Sequence, residues 1–194
     1  MENKTGKLFV VSGPSGAGKT SVVAVALRRL QKEYDLSRIV TYTSRPPREN
    51  EVSGQDYIFV SGDEFHQKQK DGFFLETNVY NGRNYGSPWP EESELTQGKS
   101  YVLIVDIEGA KSVSKEFRDA IMIWIAPPDM TTLKKRLEKR ATESVSQIEK
   151  RLTQAEEEMK EAHKIRLFGY VLVNDIFDQA VEELILLVRK ALSE

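Results

Sequence analysis

Short apolar runs recur along the chain and alternate with longer amphipathic stretches. Three of them have uncharged apolar centres rich in β-branched residues: KLFVVSG, SYVLIVDIEG and AIMIWIAPP. The segment GYVLVND has the same character near the C-terminus, and SRIVTYTSRP adds one more candidate. Runs of this kind are typical of strands that are buried in a parallel sheet.

Amphipathic helices are predicted between these strands. Apolar residues recur at or near i, i+3, i+4 and i+7 spacing in residues 19–34, 129–141, 144–164 and 178–192. Alternating strands and helices predict a three-layer α/β fold with a central parallel sheet. We expect a single domain over residues 1–194, whose core is formed by residues 1–37, 91–129 and 161–194.

Two segments interrupt this alternation. Residues 38–90 are rich in Arg, Tyr, Gly and Asn, and their short alternating stretches predict a small antiparallel insert. Residues 130–160 are strongly charged and helical, which suits a lid better than a core. An insert and a lid together indicate a protein that closes over a substrate.

Composition narrows the class of partner. The chain of 194 residues has a formal net charge of −2 and no cysteine, which excludes disulfides, thiolate metal sites and a Cys nucleophile. No overall basic field favours nucleic acid, and the apolar runs are too short to span a membrane. We expect a cytoplasmic protein with small-molecule partners, no nucleic acid and no membrane. A monomer and a homo-oligomer both stay open.

A phosphate-binding loop follows the first predicted strand. Its residues match G-x-x-x-x-G-K-[ST] and lie between an apolar strand and a helix: Gly13, Pro14, Ser15, Gly16, Ala17, Gly18, Lys19 and Thr20. In this motif the backbone N–H groups surround the β-phosphate of a nucleotide, and the lysine reaches the β- and γ-oxygens. The sequence therefore predicts a site for the phosphates of a nucleoside triphosphate or a similar ligand.

Magnesium is the expected cofactor of this site. The hydroxyl of Thr20 is placed by the motif to ligate Mg²⁺. Asp106 ends the predicted strand YVLIVD and would correspond to the aspartate that organises the water shell of the metal in such proteins. A strand-end aspartate that only stabilises a turn is the alternative for Asp106.

A second anion site is predicted in the insert. Arg45 and Arg48 lie three positions apart around two prolines, which stiffen the backbone, and Tyr57 follows as a hydroxyl donor. Two guanidinium groups and a phenol suit a phosphate monoester. Taken by itself, the segment is equally compatible with a surface loop that carries incidental charge.

The order of the motifs resembles the guanylate kinase family. The matching segments are GPSGAGKT, TSRPPRENEVSGQDY, FLETNVYNGRNYGSP, DIEGA, RLEKRATESVSQIEKR and YVLVND, and they extend from about Lys7 to Leu186. The resemblance implies the P-loop nucleoside-monophosphate-kinase fold, with a monophosphate-binding insert and a helical lid. It also implies the transfer of the γ-phosphoryl group of ATP to GMP, and to dGMP as well.

The resemblance assigns roles to residues of the insert. Four would bind the phosphate of GMP: Arg45, Arg48, Tyr57 and Tyr85. Four would face the guanine: Thr41, Glu76, Ser87 and Asp106. The chemistry of Glu76 agrees, because a carboxylate accepts from the adjacent N1–H and N2–H₂ donors of guanine, whereas adenine has an unprotonated N1 at that edge.

The resemblance also assigns residues to the ATP side. Arg136, Arg140 and Arg151 would close over the ATP phosphates, and Asn174 would lie beside the adenine. Lys19, Arg45, Arg140 and Arg151 would act on the transferred group, because cationic clamps stabilise its charge and no catalytic base is needed. His66 and His163 are interpreted as ordinary surface residues, and Lys134, Lys135 and Lys139 as solvated helix charges.

Four positions depart from the family pattern, and two other functions stay open. The departures are Ile104 for an acidic residue, Asn50 and Ala141 for glycines, and Ile176 for an aspartate. A scaffold module that only binds phosphorylated peptides is one alternative, which the intact phosphate loop disfavours. A kinase for another nucleoside monophosphate is the other, which Glu76 and Ser87 disfavour.

Overall fold

The computed structural model describes residues 5–49, 51–80, 82–139 and 145–193. Its strands are β1 (Leu8–Ser12), β2 (Leu36–Arg38), β3 (Tyr42–Thr43), β4 (Ile58–Phe59), β5 (Phe74–Tyr80), β6 (Arg83–Pro88), β7 (Ser100–Ile104), β8 (Ile121–Ala126) and β9 (Tyr170–Val173). Its helices are α1 (Lys19–Leu30), α2 (Gly62–Lys70), α3 (Glu92–Thr96), α4 (Ile107–Glu116), α5 (Met130–Glu138), α6 (Val145–Ile165) and α7 (Phe177–Ser193).

The main sheet is parallel and has the order β2-β7-β1-β8-β9. Along β1 the side chains alternate between two apolar clusters, and all of them are fully buried. Phe9 and Val11 face the cluster that includes α1 and α7, whereas Leu8 and Val10 face the cluster that includes α4. Helices therefore cover both faces of the sheet, and the predicted three-layer α/β fold with a central parallel sheet is confirmed.

The insert forms a second sheet with the order β4-β3-β6-β5. Strand β6 pairs antiparallel with both β3 and β5, as expected. Strands β3 and β4 pair in parallel, so the insert is mixed rather than wholly antiparallel. The physical reason is the long connection over residues 44–57, which lets the chain return to the start of β3 before it pairs again.

The fourth predicted strand, β9, is parallel but not buried. It is the last strand in the sheet order, and only Leu172 of its four residues is buried. Leu172 packs in the cluster that includes α7, whereas Val171 and Val173 project from the opposite face of β9 and are exposed. The fifth candidate, SRIVTYTSRP, contributes to both sheets, with part of β2 and all of β3 inside it.

Helices α5 and α6 share a small apolar cluster of their own. Leu133 and Leu137 of α5 pack with Ala155 of α6, apart from the two clusters of the main sheet. Most of the α6 surface is polar and solvated, with only Ala155 and Glu158 buried. Among the described residues, no helix has both the length and the apolar character that a membrane span requires.

We predict unequal costs for two valine substitutions in the main sheet. Val10→Ala should lower the free energy of unfolding by roughly 2 kcal/mol, because it removes two buried methyl groups and leaves a cavity. Val171→Ala should change it by less than about 0.5 kcal/mol, since this side chain is 62% exposed. Urea denaturation of both variants checks this, and equal losses would contradict the burial of β1 relative to β9.

Candidate active site

The phosphate loop lies between the end of β1 and the start of α1. Gly18 precedes α1 with a φ of 91°, a left-handed conformation that side chains rarely adopt. The ammonium of Lys19 donates to the carbonyl oxygens of Gly13, at 2.5 Å, and Pro14, at 3.2 Å. The lysine is therefore folded back over the loop, whose N–H groups and helix terminus make an anion site. Thr20 is exposed at the same helix start.

Asn174 connects the phosphate loop to the end of β9 through hydrogen bonds. Its side-chain amide donates to the carbonyl of Ala17 at 2.8 Å, and its backbone N–H donates to Ala126 at 2.8 Å. A Cβ on Gly18 would lie 2.3 Å from this amide nitrogen, so the approach requires glycine. Asn174 is buried, and its amide nitrogen is engaged by the loop backbone.

Helices α5 and α6 contact the phosphate loop and the neighbouring Asn174. Arg151 donates to the hydroxyl of Ser15, and Arg136 donates to the backbone carbonyl of Asn174 at 2.8 Å. Leu133 and Leu137 pack against Gly16, where an added Cβ would lie 2.9 Å from each. The predicted lid segment thus touches the predicted ATP site. Arg140 lies outside the described residues, as do Ala141 and Asn50.

Glu158 is a buried carboxylate that the sequence analysis missed. It lies on α6 with 9% of its surface exposed and accepts from Gln154 at 2.9 Å. Burial raises its pKa, and the nearby charge of Lys19 opposes that rise. The sequence does not predict this burial. The segment QAEEEMKEA has several glutamates on different sides of the helix, and its pattern does not indicate which of them is buried.

Arg45 and Arg48 of the predicted monophosphate site both contact Glu51, a residue that the sequence analysis did not single out. The carboxylate of Glu51 accepts from both terminal nitrogens of Arg45 at 2.8 Å and from the backbone N–H of Arg48 at 2.8 Å. The Arg48 side chain is 61% exposed and lies 3.9 Å from Glu51. Partial burial opposes ionisation of Glu51, but its hydrogen bonds from Arg45 and Arg48 lower its pKa below the usual range.

Two tyrosines complete this cluster. Arg45 donates from Nε to the phenol of Tyr85 at 3.3 Å, and its guanidinium lies 5.4 Å from the ring centre of Tyr57. The rings of Tyr57 and Tyr85 meet edge to face, with 5.9 Å between their centres. Burial raises the pKa of Tyr57, so its phenol stays a hydrogen-bond donor at neutral pH. Three of the four predicted phosphate ligands are therefore in direct contact, with Arg48 beside them.

Glu76 is buried in a short hydroxyl network. Ser87 donates to Glu76 Oε1 at 2.6 Å, and the hydroxyls of Thr41 and Ser87 lie 3.2 Å apart. Each hydroxyl has one hydrogen, so Ser87 uses its own on Glu76 and Thr41 is the donor to Ser87. Burial raises the pKa of Glu76 to about 7, Ser87 opposes this rise, and the charge of Asp106 adds to it.

A β-bulge directs Glu76 inward. Phe74 pairs with Pro88 while Glu76 pairs with Ser87, so the register of β5 against β6 shifts between the two pairs. Leu75 and Glu76 are consequently both buried although they are adjacent. Gly109 of α4 approaches closely, since an added Cβ there would lie 3.1 Å from Glu76 Oε2.

Asp106 lies between β7 and α4, where it caps the helix. Its Oδ1 accepts from the backbone N–H of Gly109 at 2.8 Å, and its Oδ2 accepts from the side-chain amide of Asn78. Both oxygens therefore already have protein donors. Within residues 5–49, 51–80, 82–139 and 145–193, no group of three or more His, Cys, Asp or Glu side chains could hold a metal ion.

The remaining residues that the sequence analysis singled out are two histidines, a lid lysine and two of the departures from the family pattern. His66 and His163 are exposed, as expected. Lys134 lies 4.0 Å from Glu138 one turn away, which fits the interpretation as a solvated helix charge. Ile104 is half-buried at the end of β7, and Ile176 is 54% exposed.

A P-loop at the end of the central strand and a small inserted sheet beside it define the fold of the nucleoside monophosphate kinases. The sequence model of the guanylate kinase family matches residues 5–191. A guanylate kinase of Thermus thermophilus is 40% identical over 184 residues, which cover 94% of this chain and 79% of that relative. One from Rubrobacter xylanophilus is 39% identical over 188 residues, which cover 96% of this chain and 95% of the relative.

A solved structure supports the same assignment. The crystal structure of guanylate kinase from Anaplasma phagocytophilum superimposes with a TM-score of 0.78 and 25% sequence identity. The match covers 98% of this chain and 88% of that one. The chain therefore belongs to the guanylate kinase family, and the resemblance inferred from its motifs is confirmed.

We predict that Glu76→Gln makes the free protein more stable at high pH. The raised pKa means that the ionised carboxylate is disfavoured in the folded state, so its stability penalty is absent below pH 4.5 and complete above about pH 7. The penalty amounts to about 3 kcal/mol at full ionisation. Urea unfolding of both proteins at pH 5 and pH 8 measures it. Parallel pH dependences of the two proteins would contradict the buried carboxylate.

Proposed function

We propose that the protein transfers the γ-phosphoryl group of ATP to GMP, and also to dGMP, giving ADP and the nucleoside diphosphate. The observation that carries this proposal is the buried acceptor of the insert, in which Glu76 is held by Ser87 while Arg45, Arg48 and two tyrosines form an anion site on the same small sheet. A nucleoside monophosphate fits this arrangement if its base has adjacent hydrogen-bond donors. The base would pair with the buried carboxylate, and the phosphate would bind at the anion site.

Guanine would be selected by the hydroxyl network. The carboxylate of Glu76 would accept from N1–H and N2–H₂. The hydroxyls of Thr41 and Ser87 would lie on the O6 side of the base, where a hydroxyl that donates to O6 gives up its hydrogen bond to Ser87 or Glu76. Asp106, which accepts from Asn78 of β5, offers a second carboxylate. A buried pocket of this kind rejects a base that leaves its polar groups unpaired, so AMP is expected to be a poor acceptor.

The phosphate of GMP would be bound by Arg45, Arg48, Tyr57 and Tyr85. Glu51 engages the fork of Arg45 and the backbone of Arg48, which orders both arginines before the ligand arrives. One carboxylate against two guanidinium groups leaves a net positive charge, which suits the incoming monoester. Ordering the arginines in advance lowers the entropic cost of binding.

The ATP phosphates would be bound by the loop from Gly13 to Thr20, with Lys19 on the β- and γ-oxygens. Arg136 and Arg151, together with Arg140, would neutralise charge on the transferred group, and Asn174 would lie near the adenine. The phosphate of GMP is already an anionic nucleophile, so no general base is required. Positioning and electrostatic stabilisation supply the rate enhancement.

Magnesium is proposed as the metal that accompanies ATP. The donor set suits it, because Mg²⁺ takes oxygen ligands: the exposed Thr20 offers a hydroxyl, and Asp106 offers a carboxylate that would act on the ion through water. A bound Mg²⁺ supplies charge neutralisation between the β- and γ-phosphates. The absence of an acid at Ile104 is consistent with a site that relies on substrate oxygens.

The domain boundaries follow from these roles. We propose that residues 38–90 form the monophosphate-binding insert and residues 130–160 the lid, which close over the two substrates. Contacts of Arg136 and Arg151 with the loop and with Asn174 support a lid that reaches the site. Closure excludes water, which would otherwise consume ATP by hydrolysis. Because its substrates are nucleotides of the cytoplasm, we propose a cytoplasmic location.

The first experiment is an acceptor panel. ADP formation from Mg-ATP is measured with GMP, dGMP, AMP, UMP and CMP offered separately and with no acceptor. We expect turnover with GMP and dGMP only, since Glu76 requires adjacent donors on the base. Lys19→Ala should abolish turnover, whereas Lys134→Ala, which removes an exposed lysine, should not. Turnover with AMP instead would refute the guanine pocket, and no turnover at all would favour a binding module.

A second prediction concerns Glu51. Glu51→Gln should raise the KM for GMP by roughly tenfold and leave the KM for ATP unchanged, because a charge-assisted pair that orders Arg45 and Arg48 is weakened. Glu49→Gln removes an exposed carboxylate from the same loop and is the matched control. A lower KM for GMP in Glu51→Gln would mean that Glu51 competes with the phosphate instead of ordering its ligands.

A further inference from the structure

Asn78 is a partly buried polar residue near Glu76, and neither the motifs nor the proposed function gives it a role. It lies on β5 two positions after Glu76, beyond the bulge, so the two side chains project from the same face of the strand. Asn78 pairs with Tyr85 across the small sheet, while Glu76 pairs with Ser87. It is thus next to both predicted halves of the GMP site.

The amide of Asn78 joins the insert to the core. Its Nδ2 donates to Oδ2 of Asp106, and Asp106 Oδ1 accepts from Gly109. The amide cannot be reversed without loss, because its Oδ1 accepts from the backbone N–H of Val79 at 2.7 Å. The carboxylate of Asp106 is therefore fixed by one donor from α4 and one from β5.

This contact sets the relative position of two carboxylates. Glu76 and Asp106 are close enough for their negative charges to interact, and like charges tend to move apart. An amide donor on the side of Glu76 holds Asp106 against that repulsion. It occupies part of Oδ2 only, since each carboxylate oxygen can accept more than one hydrogen bond.

We infer that Asn78 is a positioning residue for base selection: it holds Asp106 so that its carboxylate accepts from one hydrogen of the 2-amino group of guanine, while Glu76 accepts from the other and from N1–H. This inference rests on the proposed function. It extends that function by naming the residue that connects the two acceptors, one in the insert and one in the core. IMP keeps N1–H for Glu76 but lacks the 2-amino group, so it leaves Asp106 without a donor, and a variant that acts through Asp106 should affect GMP more than IMP.

The test compares GMP with IMP in the wild-type protein and in Asn78→Ala. We expect Asn78→Ala to lower kcat/KM for GMP by roughly tenfold, the usual effect of removing a donor from a charged acceptor. It should lower kcat/KM for IMP much less, so that the preference for GMP over IMP falls, while the KM for ATP stays unchanged. Thr77→Ala changes the neighbouring residue on the opposite face of β5 and is the matched control.

A double-mutant cycle shows whether Asn78 acts through Asp106. With Asp106→Ala in the background, Asn78→Ala should have little further effect on the ratio of GMP to IMP, because the group that it positions is gone. Thermal unfolding of each variant reports folding, and if Asn78→Ala does not fold, Asn78→Ser takes its place in the same comparison.

The outcomes separate the inference from the function on which it rests. A wild-type protein that does not phosphorylate GMP overturns both. A GMP-selective wild type whose ratio of GMP to IMP is unchanged in Asn78→Ala overturns the inference alone, whether both activities fall equally or neither falls. A reduced ratio that is additive with Asp106→Ala overturns it as well, since Asn78 would then act independently of Asp106.

Discussion

Strands β1, β7, β8 and β9 run in the same direction through one hydrogen-bonded sheet, so their carboxyl ends lie along a single edge. The phosphate loop follows β1, Asp106 follows β7 and Asn174 follows β9. Side chains distant in sequence therefore meet, as Asn174 meets Ala17. The backbone hydrogen bonds of the sheet fix the direction of its strands, and they thereby place these residues at the same edge.

The small sheet meets a different requirement, which is to hold a carboxylate away from water. Glu76 is 6% exposed, and its hydrogen bonds from Ser87 do not compensate fully for its lost hydration. The cost remains in the free protein as a raised pKa, and a ligand with complementary donors would relieve it. The free energy of folding that is lost by burying this carboxylate would be recovered when such a ligand binds. Destabilising features of this kind are common at functional sites.

Sequence patterns predicted the elements whose signals are local. The loop from Gly13 to Thr20 is specified by its own spacing, and the apolar centres of β1, β7 and β8 indicate burial on both faces. The exposure of β9 depends on its place in the strand order, and the parallel pairing of β3 with β4 depends on the path of a long loop. The sequence did not single out three residues that the structure does: Glu51, Glu158 and Asn78. Their contacts are with residues that only the fold brings near, and a short charged or polar stretch does not predict such contacts.

The protonation of Glu76 also bears on fidelity. Burial raises the pKa of Glu76 to about 7, so near neutrality a large share of free molecules carry a carboxylic acid instead of a carboxylate. An acid has one donor, which matches the unprotonated N1 of adenine, whereas the carboxylate matches only the donors of guanine. On the proposed assignment of Glu76 to the base, discrimination between the two purines would depend on pH and would weaken as the proton concentration rises.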